Sequence, residues 1–395
     1  MDERDELATL KNISDTEAYT TFDHVFSKAV RSLSSVIGLK RVTQPFWNRW
    51  LASGVGEDVV FDFLDRVGTI DNWATTAAPI VERKIAEFDA ARPSMSKDET
   101  VSALRRLSYL CHMAQWGCLP INDQRRELYR KARDFYLEAE SLAFGDRFRR
   151  IEIEWQGARL FGNLHLQDQP APLVMIVHGI DGCKEEHLAT ELALHEAGLA
   201  TLCCDGPGQG EALLLSDILW KPDFPDFLSK ALDVAGSDSA VIADRCGLLG
   251  ISIGGMWTLK AAASDHRVRA IFDLGGPLHT RKFPSLPFII KTRLCQVTGA
   301  RKSDEVAAVL GQNNIEDVAL LHAISAHVRI LHGGRDRVVA TSDKDWLLAR
   351  LREAPHEREA SLRVIEDGDH CCTGHFDAVR DDAVSFFRRC LLDGR

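Results

Sequence analysis

The part of the chain after residue 170 contains six short, mostly apolar runs that are separated by helical stretches. Strands buried on both faces lose the alternation of polar and apolar residues, and helices between them supply the crossovers of a parallel sheet. The pattern therefore predicts a doubly wound α/β domain with helices on both faces of a mostly parallel sheet. The runs are Leu173–Val177, Leu199–Cys204, Cys246–Leu249, Ala270–Leu274, Val328–Leu331 and Leu362–Ile365.

An antiparallel hairpin is predicted just before this domain, where the sequence pattern changes near Gly145. Apolar residues alternate with charged ones on both sides of the turn signal Gln156-Gly157, as in a half-exposed strand pair. The alternating positions are Ile151, Ile153 and Trp155 before the turn and Leu160, Gly162, Leu164 and Leu166 after it.

The region before Gly145 has helical periodicity and no convincing strand. One apolar face recurs at steps of four and three residues from Leu128 to Leu142, with Asn122 and Asp123 upstream as candidate N-caps. We predict a helical N-terminal domain over residues 1–146 and an α/β domain over 147–395. The alternation of predicted strands and helices is interrupted at roughly 277–326, and we interpret this segment as an insertion near the active site.

Composition narrows the classes of function. A net charge of −10 opposes binding to nucleic acid, and no apolar run reaches the about 20 residues of a membrane span. The acidic first twenty residues lack a signal-peptide core, and ten cysteines without C-x-x-C spacing favour reduced thiols. We expect a cytoplasmic protein that binds neither nucleic acid nor membrane.

The segment Gly250–Gly254 reads G-I-S-I-G and fits the G-x-S-x-G pattern. A predicted strand, Cys246–Leu249, precedes it and a helical run, Met256–Ala263, follows it. This strand–turn–helix setting is that of a nucleophile elbow, in which small flanking residues permit a strained turn that exposes the serine hydroxyl. The alternative is an ordinary glycine-rich turn, and the setting favours Ser252 as a nucleophile.

A serine nucleophile needs a base, and the base needs an acid that orients it. In the elbow arrangement the acid and then the histidine follow at the carboxyl ends of later strands. Asp336 follows the run Val328–Leu331, and His370 follows Leu362–Ile365. We therefore predict Ser252, Asp336 and His370 as nucleophile, acid and base.

Three other residues compete for these roles. His375 is the nearest alternative histidine. Asp367 and Asp369 are alternative acids, but they are too close to His370 in sequence to reach it from a separate strand end.

An acyl-transfer site also needs two backbone donors for the oxyanion. The N–H of Ile253, directly after the serine, is one candidate. The second donor is expected in the loop His178–Asp181, which follows the run Leu173–Val177. Within this loop we predict the Ile180 N–H as the donor. The glycine-rich loop Asp205–Gly210 lacks the spacing of a phosphate-binding motif and is interpreted as a loop that shapes the pocket.

No metal site is predicted. The segment His370–His375 contains histidine and cysteine ligand types, but a hydrolytic zinc ion would compete with the serine mechanism for His370. Cys371 and Cys372 are expected to be packed thiols beside the active site.

Three segments together resemble the α/β-hydrolase superfamily. More narrowly, they are similar to the branch that contains FrsA-like proteins, 2,6-dihydroxypseudooxynicotine hydrolase and the fungal polyketide-shortening hydrolases. These segments are His178–Glu186, Asp205–Glu211 and Gly250–Gly255. The helical N-terminal region, including Tyr129–Ala132, is similar to the cap domain of that branch.

The resemblance implies a Ser252–Asp336–His370 triad, no cofactor, and a pocket between the hydrolase domain and the N-terminal helices. It also implies cleavage of a carbon–carbon bond next to a ketone, or of an ester, and a homodimer. Gly182-Cys183 stands where the family frequently has a serine after the aspartate, which bears on the second oxyanion donor and on the substrate.

The leading hypothesis is hydrolysis of a carbon–carbon bond in a β-diketone-like or acyl-aromatic small molecule. The alternative is an ester or thioester hydrolase, because the first half-reaction is the same. Acyl transfer also stays open, whereas haloalkane dehalogenases and epoxide hydrolases need a carboxylate where Ser252 stands. A binding protein without turnover usually loses a triad member, and all three residues are present.

Four tryptophans of the N-terminal region are candidates for lining an aromatic substrate site. Packing in a hydrophobic core is their ordinary alternative role. They are Trp47, Trp50, Trp73 and Trp116.

Overall fold

The structure is a computed structural model that describes residues 47, 50, 51 and 55–393, apart from 69, 120, 284, 285, 287, 302 and 356. The chain divides into two compact units. The N-terminal unit ends at Asp146 and also contains Pro287–Glu305. The α/β unit comprises Arg147–Leu286 and Val306–Arg395.

One sheet of eight strands forms the centre of the α/β unit, in the order β1-β2-β4-β3-β5-β6-β7-β8. The first two strands form the predicted antiparallel hairpin, and β2 also pairs antiparallel with β4. All other neighbouring pairs are parallel. The strands are β1 (Phe148–Trp155), β2 (Ala158–His165), β3 (Ala171–Val177), β4 (Ala200–Cys204), β5 (Val241–Ile251), β6 (Val268–Leu274), β7 (His327–Gly333) and β8 (Ala360–Ile365).

The predicted fold class is confirmed, and burial of the central strands explains why the sequence pattern indicated it. Every residue of β3 and β4 is buried, so these strands carry no exposed position at which a polar side chain would be favoured. Helices cover both faces of such a sheet. The carboxyl ends of the parallel strands therefore lie along one edge, where the loops that follow them can meet.

Thirteen α-helices occur among the described residues. They are α1 (Glu57–Val67), α2 (Trp73–Ala91), α3 (Lys97–Trp116), α4 (Asp123–Phe144), α5 (Leu188–Glu196), α6 (Gly210–Ser216), α7 (Phe224–Gly236), α8 (Ile253–Ala262), α9 (Phe288–Thr298), α10 (Ser303–Gly311), α11 (Val318–Ala323), α12 (Thr341–Glu353) and α13 (Phe376–Phe387).

Helix α4 begins where the sequence predicted. The Asn122 side chain accepts a hydrogen bond of 3.0 Å from the Arg125 N–H and so caps the first turn. Leu128, Ala132 and Ala139 are buried on the predicted apolar face, whereas Leu142 in the last turn is exposed.

The N-terminal unit has an aromatic core. The indole rings of Trp50, Trp73 and Trp116 are all buried, with centroid distances of 5.4, 5.5 and 5.6 Å between them. The Trp73 Nε1 donates a hydrogen bond of 3.1 Å to Met113 O, which satisfies its polar group inside the core. These three tryptophans therefore pack in the core of the N-terminal unit.

The predicted insertion between β6 and β7 consists of helices α9, α10 and α11. Helix α9 belongs to the N-terminal unit. Its polar side chains bind the backbone at the end of α3 and just after it. Arg293 Nη2 donates to Trp116 O, and Gln296 Nε2 donates to Leu119 O over 2.5 Å.

All ten cysteines are free thiols, and nine of them are buried. Within the part of the chain that is described, no helix is long and apolar enough to cross a membrane.

Candidate active site

Ser252 lies at a sharp turn between β5 and α8. Its φ of 54° and ψ of −130° place a residue other than glycine in a backbone region that costs on the order of 1–3 kcal/mol. Two glycines make the turn sterically feasible. A Cβ at Gly254 would lie 2.0 Å from Val177 O, and one at Gly250 would lie 2.5 Å from the Gly255 Cα. The turn therefore needs the glycine at each end of G-x-S-x-G.

The structure brings the three predicted side chains together. Ser252 Oγ lies 2.9 Å from His370 Nε2, and His370 Nδ1 lies 2.8 Å from Asp336 Oδ2. Asp336 is fixed by backbone donors, since its Oδ1 accepts hydrogen bonds of 2.7 Å from Val338 N and 3.0 Å from Val339 N. This geometry suits transfer of the serine proton to the imidazole.

The electrostatics favour a positively charged His370. Burial alone lowers the pKa of His370, but the neighbouring Cys371 sulfur and Asp336 carboxylate outweigh it and hold this pKa well above its usual value. For Asp336, burial also opposes the charged form and so raises the pKa of its carboxyl group. Its contacts with His370 and with the two backbone donors outweigh burial and lower this pKa below its ordinary value. An imidazolium that forms during proton transfer would be stabilised by this pair.

The competing residues have other partners. His375 Nε2 lies 3.3 Å from Asp367 Oδ1. Asp369 accepts hydrogen bonds from the Thr373 N–H and hydroxyl, over 2.6 and 2.5 Å. Because His370 directs one ring nitrogen to Ser252 and the other to Asp336, it has no nitrogen left for a metal ion in this arrangement.

The backbone directly after His370 is strained. Cys371 and Cys372 have φ values of 58° and 52°, a region that residues with a Cβ rarely adopt. The thiols are buried as predicted, and Cys371 Sγ lies 3.6 Å from Leu274 O at the end of β6. Packing of these thiols on β6 holds the loop that presents His370.

The two predicted oxyanion donors belong to a helix start and a loop beside Ser252. The Ile253 N–H is the first of α8, and such N–H groups have no acceptor within their own helix. Gly179 lies against the serine, because a Cβ added there would be 3.4 Å from Ser252 Cβ and 3.9 Å from its Oγ. The loop that carries Ile180 therefore passes next to the nucleophile.

A buried ionic cluster behind this loop was not predicted from the sequence. We call Arg150, Lys184, Glu185, Asp205 and Glu211 the Lys184 network. The Lys184 ammonium contacts Glu185 Oε1, Asp205 Oδ2 and Glu211 Oε2 over 2.9, 2.9 and 2.8 Å. Arg150 Nη2 donates to Glu211 Oε1 over 2.8 Å.

Charge compensation in this network shifts the acidic and basic groups in opposite directions. Burial opposes the charged form of each group, but Lys184 lowers the pKa of Asp205 far below its usual range and that of Glu211 to about 2. Asp205, Glu185 and Glu211 in turn raise the pKa of Lys184 against the effect of burial. Lys184 joins two of the three segments on which the family resemblance rests, so the joint presence of these two segments was the available sequence signal for the network.

A second buried group lies behind Asp336. His332 at the end of β7 is fully buried, with its Nδ1 3.8 Å from Asp336 Oδ2. Burial and the nearby Lys344 lower the pKa of His332. Lys344 pairs with Asp273 Oδ2 over 2.5 Å and also donates to Gly276 O. These residues lie on separate elements, and no sequence motif joins them.

The raised pKa of His370 predicts a pH dependence. Only the neutral imidazole can accept the Ser252 proton, so kcat/KM should rise with pH through a pKa above about 6.5, the usual value. Asp336→Asn removes the charge that stabilises the imidazolium and should move this limb to lower pH. Rates measured from pH 5 to 10 with a p-nitrophenyl ester, in both proteins, check this. A wild-type limb at or below 6.5, or a shift to higher pH in the variant, would contradict it.

Comparisons with known proteins agree with this fold. The chain is 28% identical over 340 residues to 2,6-dihydropseudooxynicotine hydrolase of Paenarthrobacter nicotinovorans, covering 82% of this chain and 86% of the relative. It is 32% identical over 112 residues to 20-hydroxy-prefusarin hydrolase of Gibberella moniliformis, about a quarter of each protein. No protein-family model matches the chain.

Similarity to a solved structure extends over almost the same length. The crystal structure of 2,6-dihydroxy-pseudo-oxynicotine hydrolase matches with a TM-score of 0.72 and 26% identity, covering 88% of this chain and 97% of that one. AbyA5 matches with a TM-score of 0.68 and 17% identity, which concerns the fold alone. The chain therefore has the α/β-hydrolase fold, and in sequence and structure it is similar to the branch of hydrolases that contains 2,6-dihydroxypseudooxynicotine hydrolase and its fungal relatives.

Proposed function

We propose that this protein is a serine hydrolase that cleaves a carbon–carbon bond next to a ketone through an acyl-enzyme. Ser252 is the nucleophile, His370 the general base and then the general acid, and Asp336 the group that orients His370. The backbone N–H groups of Ile253 and Ile180 bind the oxyanion. The 2.9 Å and 2.8 Å contacts that join Ser252, His370 and Asp336 support these roles.

The first half-reaction forms the acyl-enzyme. His370 takes the proton of Ser252 as its Oγ attacks the ketone carbon, and the carbonyl oxygen becomes an oxyanion. The intermediate collapses by breaking the bond to the neighbouring carbon, whose electron pair is delocalised into a second carbonyl or an electron-poor ring. The His370 imidazolium then protonates that carbon.

The second half-reaction regenerates the enzyme. His370 removes a proton from water, which attacks the acyl carbon, and Ser252 leaves after receiving that proton. For a 1,3-diketone the sum is one diketone and one water giving one carboxylic acid and one ketone. Neither half-reaction requires a cofactor, because the leaving carbon carries its own electron sink.

The similarity to 2,6-dihydropseudooxynicotine hydrolase over 82% of the chain is the observation that favours a carbon–carbon bond over an ester bond. The branch resemblance in the segments around His178, Asp205 and Ser252 favours a ketone with an aromatic acyl part. Ester or thioester hydrolysis is the second candidate, since the same three side chains would form the same acyl-enzyme from an ester.

A substrate panel tests the choice of bond. Purified protein is incubated in H2¹⁸O with aryl 1,3-diketones, acylated phenols and p-nitrophenyl esters, and products are identified by mass spectrometry. We expect at least one diketone to yield a ketone and an acid that carries one ¹⁸O atom. The matched control is Ser252→Ala under the same conditions, which should give no product.

The panel separates the two candidates. Cleavage of phenyl and p-nitrophenyl esters with every diketone left intact would overturn the carbon–carbon assignment and favour the esterase. Product formation by Ser252→Ala at the wild-type rate would remove Ser252 from its role in either reaction.

A further inference from the structure

Two loops that follow the neighbouring strands β3 and β4 are joined by one buried amide. Gln209 Nε2 donates hydrogen bonds to His178 O and Gly179 O over 2.9 and 3.1 Å. Its Oε1 accepts a hydrogen bond of 3.1 Å from Gly206 N in its own loop. Gln209 Nε2 also lies 3.2 Å from His178 Nδ1, so its two N–H hydrogens are shared among the two carbonyls and this ring nitrogen. Gln209 thus fixes the backbone of the loop beside the serine.

The His178 ring contacts the same peptide and the Gln209 amide. Its Nδ1 lies 3.0 Å from Gly179 O, and its Nε2 lies 3.0 Å from Asp205 Oδ1. Asp205 is itself held, because its two oxygens also accept hydrogen bonds of 2.8 Å from Lys184 N and Glu211 N. The ring therefore connects the Lys184 network to Gly179 O.

The position of Gly179 O determines the direction of the Ile180 N–H. The two groups belong to one peptide unit, which is planar and trans, so they point in opposite directions. Gly179 lies against Ser252, and its carbonyl is directed to Gln209 and His178. Rotation of this peptide would break both contacts to Gly179 O.

We propose that Gln209 and His178 are positioning residues that hold the Ile180 N–H in place as an oxyanion donor. This inference rests on the proposed serine mechanism and assigns a role to residues that do not contact the reacting atoms. The Lys184 network anchors the pair through Asp205. A donor fixed before the reaction stabilises the developing charge without the cost of reorienting a peptide.

Gln209→Met tests the proposal because methionine has a similar length but donates no hydrogen bond. Removal of one oxyanion donor costs roughly 100- to 1000-fold in kcat, and loss of its alignment should cost about 10- to 100-fold. We expect kcat to fall by that factor with KM within about threefold of wild type. Affinity for an aryl trifluoromethyl ketone, which adds to Ser252 and forms an oxyanion, should fall in parallel with kcat/KM.

Gln167→Met is the matched control. Gln167 also donates through Nε2 to two backbone carbonyls, those of His195 and Leu199, over 2.6 and 2.9 Å. It lies at the amino end of β4, whereas Ser252 follows the carboxyl end of a parallel strand. We expect Gln167→Met to lower the melting temperature while kcat/KM stays within about twofold of wild type.

Gly182→Ala disturbs the same ring sterically. A Cβ at Gly182 would lie 2.9 Å from His178 Nδ1 and 3.2 Å from its Cγ, so the ring would have to shift from its present contacts. We expect the same pattern as for Gln209→Met, with lower kcat and nearly unchanged KM. This variant tests the same positioning role if Gln209→Met fails to fold.

The outcomes separate this inference from the proposed function. Wild-type kcat and inhibitor affinity in folded Gln209→Met or Gly182→Ala would overturn the positioning role and leave the serine mechanism intact. A wild-type protein that neither hydrolyses any panel substrate nor binds the trifluoromethyl ketone would overturn the proposed function itself.

Discussion

Ser252→Ala is expected to lower kcat by about four to six orders of magnitude, with the free energy of unfolding within about 1 kcal/mol of wild type. The substitution removes the hydroxyl that lies 2.9 Å from His370 Nε2. Alanine keeps a Cβ and adopts the same backbone with similar strain. Single-turnover and steady-state rates, together with thermal unfolding, measure the two quantities separately.

The triad residues act together in catalysis, so the losses caused by removing two of them should not add. His370→Ala should lower kcat by a similar factor, and the double variant Ser252→Ala/His370→Ala should be no slower than either single one. His375→Ala is the control, because this histidine pairs with Asp367 and should retain near wild-type activity. Additive losses in the double variant, or inactivity of the control, would contradict the assignment of the base.

Lys184→Met is expected to have the largest effect on stability. The fully buried ammonium contacts three carboxylates, those of Glu185, Asp205 and Glu211, at 2.8–2.9 Å. Removal of one partner from a buried ionic group costs about 3–5 kcal/mol because the remaining charges stay buried. For a unit of this size the melting temperature should fall by on the order of 10 °C. Calorimetry of both proteins measures the change.

The pH dependence of this loss distinguishes ionic from packing effects. In wild type the lowered pKa values of Asp205 and Glu211 give stability that is present above about pH 4 and is lost as pH falls through the folded values. Without Lys184 these carboxylates bind protons more readily in the folded state. The difference in the free energy of unfolding between wild type and Lys184→Met should therefore become smaller as the pH falls from 7 to 5. Lys260→Met, which removes a partly exposed lysine bonded to Gln312 O, should cost under about 1 kcal/mol. An equal loss of unfolding free energy in Lys184→Met and Lys260→Met would contradict the prediction.

Much of the α/β unit could be predicted because its patterns are local. A strand buried on both faces needs apolar residues in succession, and all six such runs form strands in the sheet. The turn at Ser252 needs glycine at the two positions where backbone approaches closely, so G-x-S-x-G is a physical requirement. Asp336 and His370 could be chosen because parallel strands end at one edge of the sheet.

The ionic and polar groups behind the site could not be predicted in the same way. Lys184 belongs to a charged Lys-Glu-Glu run that is typical of an exposed surface, yet it is fully buried. Its partners Asp205 and Glu211 are 21 and 27 residues away, and only the packing of β3 beside β4 brings them together. Gln209 lies in a loop for which the sequence predicts only a role in shaping the pocket, because nothing local indicates which carbonyls its amide binds.

The most direct test of the central claim is labelling with a fluorophosphonate, followed by intact-mass measurement and peptide mapping. A serine made nucleophilic by its contact with His370 Nε2 should give one adduct per chain, located on Ser252. Labelling should be absent in Ser252→Ala and far slower in His370→Ala. An unreactive wild type, an adduct on another residue, or a wild-type rate in His370→Ala would contradict the account.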